Sequence, residues 1–146
     1  VLSKDQLIIV ARAQGPRELN INLSPGRVVP VHTVSIGRVL LAELSDEEIS
    51  TFFLRNPPVA LTPYTITDVD QIREALTQVK QQGYAVVDQE LDIGLLAIAV
   101  PIRDSRGIAV AAIGVSTQTE RQSREELLRV VLPILQDGAK RIGYAV

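Results

Sequence analysis

Few residues in this 146-residue chain have the means for acid–base or nucleophilic chemistry. They are a single histidine, His32, with Ser35 close behind it, and the alternating acids Asp88, Glu90 and Asp92. An imidazole beside a hydroxyl is the start of a hydrolase, and an acid such as Asp88 could orient it. No Gly-x-Ser-x-Gly elbow surrounds Ser35, however, and only proximity joins it to His32. The plainer reading is a histidine hydrogen-bonded beside a helix start. With no cysteine and one histidine, the usual zinc ligand sets cannot be assembled. The three acids would offer oxygens to a hard cation, but the spacing and glycine of an EF-hand are missing, so no metal is assigned. The glycines form neither a Gly-x-Gly-x-x-Gly nor a Walker loop, and no cofactor is expected.

What stands out instead is Val34-Ser35-Ile36-Gly37-Arg38. From Ser35 onward, Ile36, Val39 and Leu40 recur at helical spacing, and Ser35 is a suitable N-cap for a helix ending near Leu44. A helix start exposes unpaired N–H groups, and Gly37 would let another group approach its backbone. Two readings stay open here. The segment either holds a carboxylate or phosphate, or Ser35 merely caps the helix while Gly37 permits tight packing. Ser116 and Thr117, ending an apolar strand, could add hydroxyls to an anion site, and Ala97, Ala99, Ala111, Ala112 and Gly114 would leave room above a sheet.

The scaffold around these residues is legible in local patterns. Gln6 to Ala13 is rich in branched apolar residues and ends at Gly15-Pro16, and Leu19 to Leu23 alternates apolar with polar. An antiparallel pair is expected from them. Ser45-Asp46-Glu47-Glu48 is a capping box opening a helix through about Leu54. Thr67 or Asp68 caps another, with Val69, Ile72, Leu76 and Val79 on one face and Gly83 closing it. Tyr84–Asp88, Leu95–Arg103 and Ile108–Thr117 read as strands. The last two are joined by the turn Asp104-Ser105-Arg106-Gly107 into a hairpin that should form the sheet's centre. Ser123-Arg124-Glu125-Glu126 caps a terminal helix with a stripe of Leu127, Val130, Val131 and Ile134, kinked at Pro133. The order is that of an α+β domain, one antiparallel sheet flanked by helices.

The length suits one domain, residues 1–146. Because it opens on Val1 with an apolar run close behind, the chain reads as a piece of something longer. A net charge of −2 with interspersed signs gives no footprint for phosphate backbones, so this piece is not expected to hold DNA by itself. Its apolar runs are too short for a membrane span, and a cytoplasmic, membrane-free protein is expected.

Three segments then carry a resemblance: Gly26–Ala42 (GRVVPVHTVSIGRVLLA), Gly83–Gly107 (GYAVVDQELDIGLLAIAVPIRDSRG) and Ala109–Thr117 (AVAAIGVST). In order and spacing they resemble the C-terminal effector-binding domain of IclR-type bacterial transcription regulators, nearest the branch that governs aromatic-acid and β-ketoadipate catabolism. The resemblance covers nearly the whole chain. It implies a GAF-like fold, a homodimer or homotetramer, and DNA contact only through a winged helix-turn-helix domain upstream. It also implies a small carboxylate effector between the helix start and the hairpin. Carried across, Ser35 and Ile36 would hold the carboxylate through their backbone, with Gly37 beside them, and Ser116 would donate its hydroxyl. Val29, Leu95 and Ala97 would shape the apolar wall. Relatives that bind glyoxylate-like acids carry aspartate, cysteine and serine where this chain has Val87, Ala97 and Gly114, which implies a roomier, less polar pocket for an aromatic or longer acid. Asp88, one step along from Val87, points to the other face and serves the rim or an interface. The expected function is therefore ligand sensing without catalysis. The alternatives are the Ser35–His32 hydrolase and a dimerisation module with a filled pocket.

Overall fold

The computed structural model describes residues 1–15 and 29–146. Leu2–Ser3 (β1) pairs antiparallel with Gln6–Leu7 (β2). Lys4 and Asp5 take left-handed φ angles of 46° and 65° in the turn between them, and the Asp5 carboxylate accepts from the Arg55 guanidinium at 2.7 and 2.9 Å. The long strand expected over Gln6–Ala13 thus stops at Leu7, and Ile8, Ile9 and Val10 are exposed. Branched side chains favour extended backbone, but a strand exists only where a partner pairs with it. The strand expected over Leu19–Leu23 lies outside the described residues.

A 3-10 turn, Val31–Thr33, leads into α1 (Ser35–Leu41), followed by α2 (Asp46–Arg55) and α3 (Val69–Gln82). Both expected caps form. The Ser45 hydroxyl accepts from the Glu48 N–H while the Glu48 carboxylate accepts from the Ser45 N–H, and Asp68 accepts from the Gln71 N–H. Gly83 ends α3 at φ 81°, a left-handed angle that glycine adopts without penalty.

The three-stranded sheet has the order β3 (Ala85–Asp88), β4 (Leu95–Arg103), β5 (Ala109–Gln118), all antiparallel. Asp104 closes the β4–β5 hairpin: its carbonyl accepts from the Gly107 N–H and its carboxylate from the N–H groups of Arg106 and Ile108. Among the described residues β4 lies between β3 and β5 and is buried on both faces, whereas β5 leaves Val110 and Val115 exposed, so the expectation that both hairpin strands are covered on both faces holds for β4 and not for β5.

Alternation along β4 divides the core in two. Leu96, Ile98, Val100 and Ile102 pack against Leu127, Leu135 and Ala139 of the C-terminal helix. On the other face, Ala99 and Ala85 of β3 join a cluster with Val39, Leu41, Ile49, Phe52, Ile72 and Leu76 from α1, α2 and α3. The fold is α+β.

The C-terminal helix begins at the capping box Ser123–Glu126 as α4 (Arg124–Glu126), continues as a π segment, Leu127–Val131, and resumes as α5 (Leu132–Gly143). Pro133 has no N–H, and the wide turn just before it takes up the irregularity, with the Leu132 N–H reaching the Leu127 carbonyl. That extra residue rotates the helix beyond it. The inward stripe is Leu127, Leu135 and Ala139, whereas Val130 and Ile134, expected inside, are 44% and 68% exposed.

Candidate functional site

Between α1 and the sheet lies a cavity of about 100 Å³, lined by Thr33, Val34, Ser35, Ile36, Val87, Leu91, Leu95, Ala97, Gly114 and Ser116. The sheet register builds its floor. Val87, Ala97 and Ser116 are direct cross-strand partners in one row, and Ala85, Ala99 and Gly114 form the next row on the same face. Small side chains along these rows keep the floor low. A Cβ placed on Gly114 would stand 2.9 Å from the Ile98 carbonyl oxygen and 3.0 Å from Ile36 Cγ2, so α1 rests on this glycine.

The roof is the start of α1. Its first intrahelical bond runs from the Arg38 N–H to the Val34 carbonyl at 3.0 Å, so the N–H groups of Ser35 and Ile36, ahead of that bond, have no acceptor inside the helix. Ser35 is the first helical residue and not the cap. Val34, extended at φ −120°, occupies the N-cap, and no side chain caps this end. The Ser35 hydroxyl, which lines the cavity in a residue only 4% exposed, makes no hydrogen bond to the described residues, nor does that of Ser116.

Seven of the ten expected site residues therefore line one cavity: Ser35, Ile36, Val87, Leu95, Ala97, Gly114 and Ser116. Three do not. A Cβ on Gly37 would lie 1.9 Å from the Val31 carbonyl oxygen, so the missing side chain there permits helix-to-turn packing, and Gly37 is absent from the lining. Asp88 is exposed on the face opposite Val87 and accepts from the Gln89 amide at 3.2 Å. Val29 is half-buried and outside the lining. Thr33, Val34 and Leu91 were missed by sequence reasoning. The first two adjoin Ser35, and proximity alone could have included them; Leu91 enters through a loop whose path no local pattern announces.

The same loop takes Glu90 out of solvent. Gln89, at a left-handed φ of 60°, turns the chain so that Glu90 and Leu91 go inward, 5% and 3% exposed. The Glu90 carboxylate accepts from the Arg38 guanidinium at 2.5 Å and from the Ile66 N–H at 3.0 Å. The Arg38 Nε donates to the His32 carbonyl at 2.8 Å. His32 is buried edge-on to Phe53, and its Nε2 has no hydrogen-bond partner among the described residues. Burial and the nearby Arg38 cation push its pKa down to about 4, partly opposed by a bond with the Ile66 backbone. No hydrogen bond joins His32 to Ser35, and the imidazole is absent from the cavity lining. No cluster of three metal-ligating side chains occurs among the described residues, and no described helix is long and apolar enough to cross a membrane.

Residues 1–144 match the family model described as the bacterial transcriptional regulator IclR C-terminal domain. The chain belongs to the IclR family. It is 40% identical over 135 residues to the Pca regulon regulatory protein of Pseudomonas putida, covering 92% of this chain and 46% of that one. It is 35% identical over 151 residues to the p-hydroxybenzoate hydroxylase transcriptional activator of Acinetobacter baylyi, covering 100% of this chain and 56% of that one. This member of the IclR family thus spans about half the length of the curated relatives it matches. Among solved structures it superposes on a double mutant of the PobR inducer-binding domain from Acinetobacter, in complex with 3-hydroxybenzoic acid. The TM-score is 0.89 at 34% identity, with 100% of this chain and 86% of that one covered.

Proposed function

We propose that this IclR-family domain senses a small organic acid and passes its occupancy, through subunit arrangement, to a DNA-binding winged helix-turn-helix domain upstream in the whole protein. The observation that carries the reading is the cavity under α1, where unpaired donors meet an apolar enclosure. Ser35 and Ile36 offer backbone N–H groups, Ser35 and Ser116 offer hydroxyls, and Val87, Leu91, Leu95 and Ala97 supply carbon walls. No lining side chain is charged, and the nearby Arg38 cation is already matched by Glu90. Such a site suits a carboxylate held by neutral donors with a ring or chain against the walls. Its volume is of the same order as the apolar cavity of about 150 Å³ that accepts benzene, which favours a monocyclic aromatic acid. Hydroxybenzoate in the related inducer-binding domain supports the same class.

The roles of Ser35, Ile36, Val87, Leu95, Ala97, Gly114 and Ser116 belong to this proposal, as does the absence of catalysis. Exposed apolar side chains on the C-terminal helix, Val130, Ile134 and Ile142, support a homodimer or homotetramer. Effector binding shifts the equilibrium between subunit arrangements only if the two bind it unequally. A regulator of this kind acts where the chromosome lies, in the cytoplasm.

The test is a thermal-shift and calorimetric panel of 4-hydroxybenzoate, 3-hydroxybenzoate, protocatechuate, β-ketoadipate, pyruvate and glyoxylate. An aromatic acid should raise the Tm by mass action, and less so in Ser116→Ala. A ranking led by glyoxylate would overturn the aromatic assignment, and saturable binding by no acid would overturn the sensor.

A further inference from the structure

Arg38 and Glu90 are 52 residues apart in sequence, yet both are almost fully buried and their charged ends meet beside the cavity. Neither lines it. Each instead fastens a segment that does. Arg38 is one turn into α1, and its Nε holds the His32 carbonyl in the turn that delivers Thr33 and Val34 to the lining. Its other arm holds Glu90, whose neighbour Leu91 forms the facing wall.

Glu90 is itself tied a second time. The loop from Thr62 to Ile66 donates to it and its neighbour from three points: Thr62 Oγ1 to the Gln89 carbonyl at 2.5 Å, Thr65 Oγ1 to the Glu90 carbonyl at 2.7 Å, and the Ile66 N–H to the Glu90 carboxylate. Within the loop, the Gln89 N–H donates to the Leu95 carbonyl at 2.7 Å and the Gly94 N–H to the Gln89 side chain at 3.0 Å. Leu91 is thereby carried on a braced loop that the ion pair connects to the roof helix.

We propose that the Arg38–Glu90 pair is a positioning element that sets the separation of the two pocket walls, Thr33–Ile36 and Leu91, and through it the affinity for the acid. The affinity half rests on the sensor reading above; the geometric half stands without it. The guanidinium fork matters because it bonds the His32 carbonyl and the Glu90 carboxylate together in a fixed plane. An ammonium keeps the charge but cannot hold that bridging geometry. A pair that merely neutralised buried charge would tolerate lysine, whereas a spacer would not.

Arg38→Met leaves Glu90 buried without its cation and can fail to fold, so Arg38→Lys is the deciding variant, compared with wild type by Tm, amide hydrogen exchange and binding of 4-hydroxybenzoate. The proposal expects a Tm close to wild type and faster exchange confined to residues 31–36 and 89–95. It also expects a loss of about tenfold in affinity, since a site whose support loosens slightly loses its geometry. Unchanged exchange in both segments would overturn it. So would acceleration spread over the whole chain in step with a fallen Tm, which marks a purely structural pair. If wild type binds no acid, the sensor reading falls while the exchange pattern still decides the positioning role. If exchange changes as expected and affinity does not, the link from wall spacing to affinity is overturned.

Discussion

The helix α1 presents two regions built on opposite rules. Toward the protein interior, Arg38 is matched to Glu90 and to the His32 carbonyl, Gly37 lies against Val31 without room for a methyl group, and Val39 and Leu41 are buried in the core. Toward the cavity, the Ser35 and Ile36 N–H groups and the Ser35 hydroxyl have no bond to the described residues, over a floor of small side chains. Buried polar groups left unpaired cost stability, so a fold that keeps several of them in one place holds them in readiness for something else. Satisfied groups hold the helix in place, and unsatisfied ones await a partner.

On that contrast, substitutions that strand or overfill an interior group should damage folding, and those on the cavity side should damage binding alone. The largest effect is expected from Arg38→Met, which strands a buried carboxylate and should cost about 3–5 kcal/mol of unfolding free energy in urea titrations. A cost below about 1 kcal/mol would show that water reaches Glu90 and erase the distinction. Next is Gly37→Ala, whose new methyl would press on the Val31 carbonyl oxygen. It should cost about 3 kcal/mol by the same titration, at the upper end for overpacking.

His32 gives the comparison a pH axis. Its folded pKa is about 4, below the 6.5 of a free imidazole, because burial and the Arg38 cation oppose its charging. Between those values the unfolded chain binds the extra proton, so stability is fully present above pH 6.5 and falls as the pH drops toward 4. The loss should amount to about 2–3 kcal/mol, and His32→Leu should flatten that part of the profile, measured as urea midpoints across the range. The smallest effect on stability belongs to the cavity side. Ser35→Ala, removing a hydroxyl that bonds to nothing among the described residues, should change unfolding by less than about 0.5 kcal/mol while weakening 4-hydroxybenzoate binding by about 1 kcal/mol, read by calorimetry. A large loss of stability there would mean that Ser35 belongs to the interior rule.

How far these features could be read from the chain depended on their range. Both capping boxes, the Gly83 helix end and the Asp104–Gly107 turn involve residues within a few positions of one another, and all formed as the patterns implied. Ser35, Ile36, Ala97, Gly114 and Ser116 were reached from the helix start and the hairpin, both locally encoded, whereas Val87 and Leu95 came only from the family resemblance. The strand Ala109–Gln118 misled because an apolar run is buried only if something covers it, and its composition matches that of its covered neighbour, β4. The stripe on the C-terminal helix misled because a π turn ahead of Pro133 breaks the regular spacing on which such stripes are counted.

From the residue order alone come the element types, their caps, the hairpin and the alternation that gives β4 two faces, because these rest on bonds and side-chain periods a few residues long. The pairing of Arg38 with Glu90 and the inward turn at Gln89 that brings Leu91 into the wall were settled by folding. So was the close packing of Gly37 against the Val31 carbonyl. Each of these depends on which distant surfaces come into contact. A charge or a glycine reads the same in the chain whether water, a carbonyl or a ligand lies beside it, and only burial against a particular neighbour determines which.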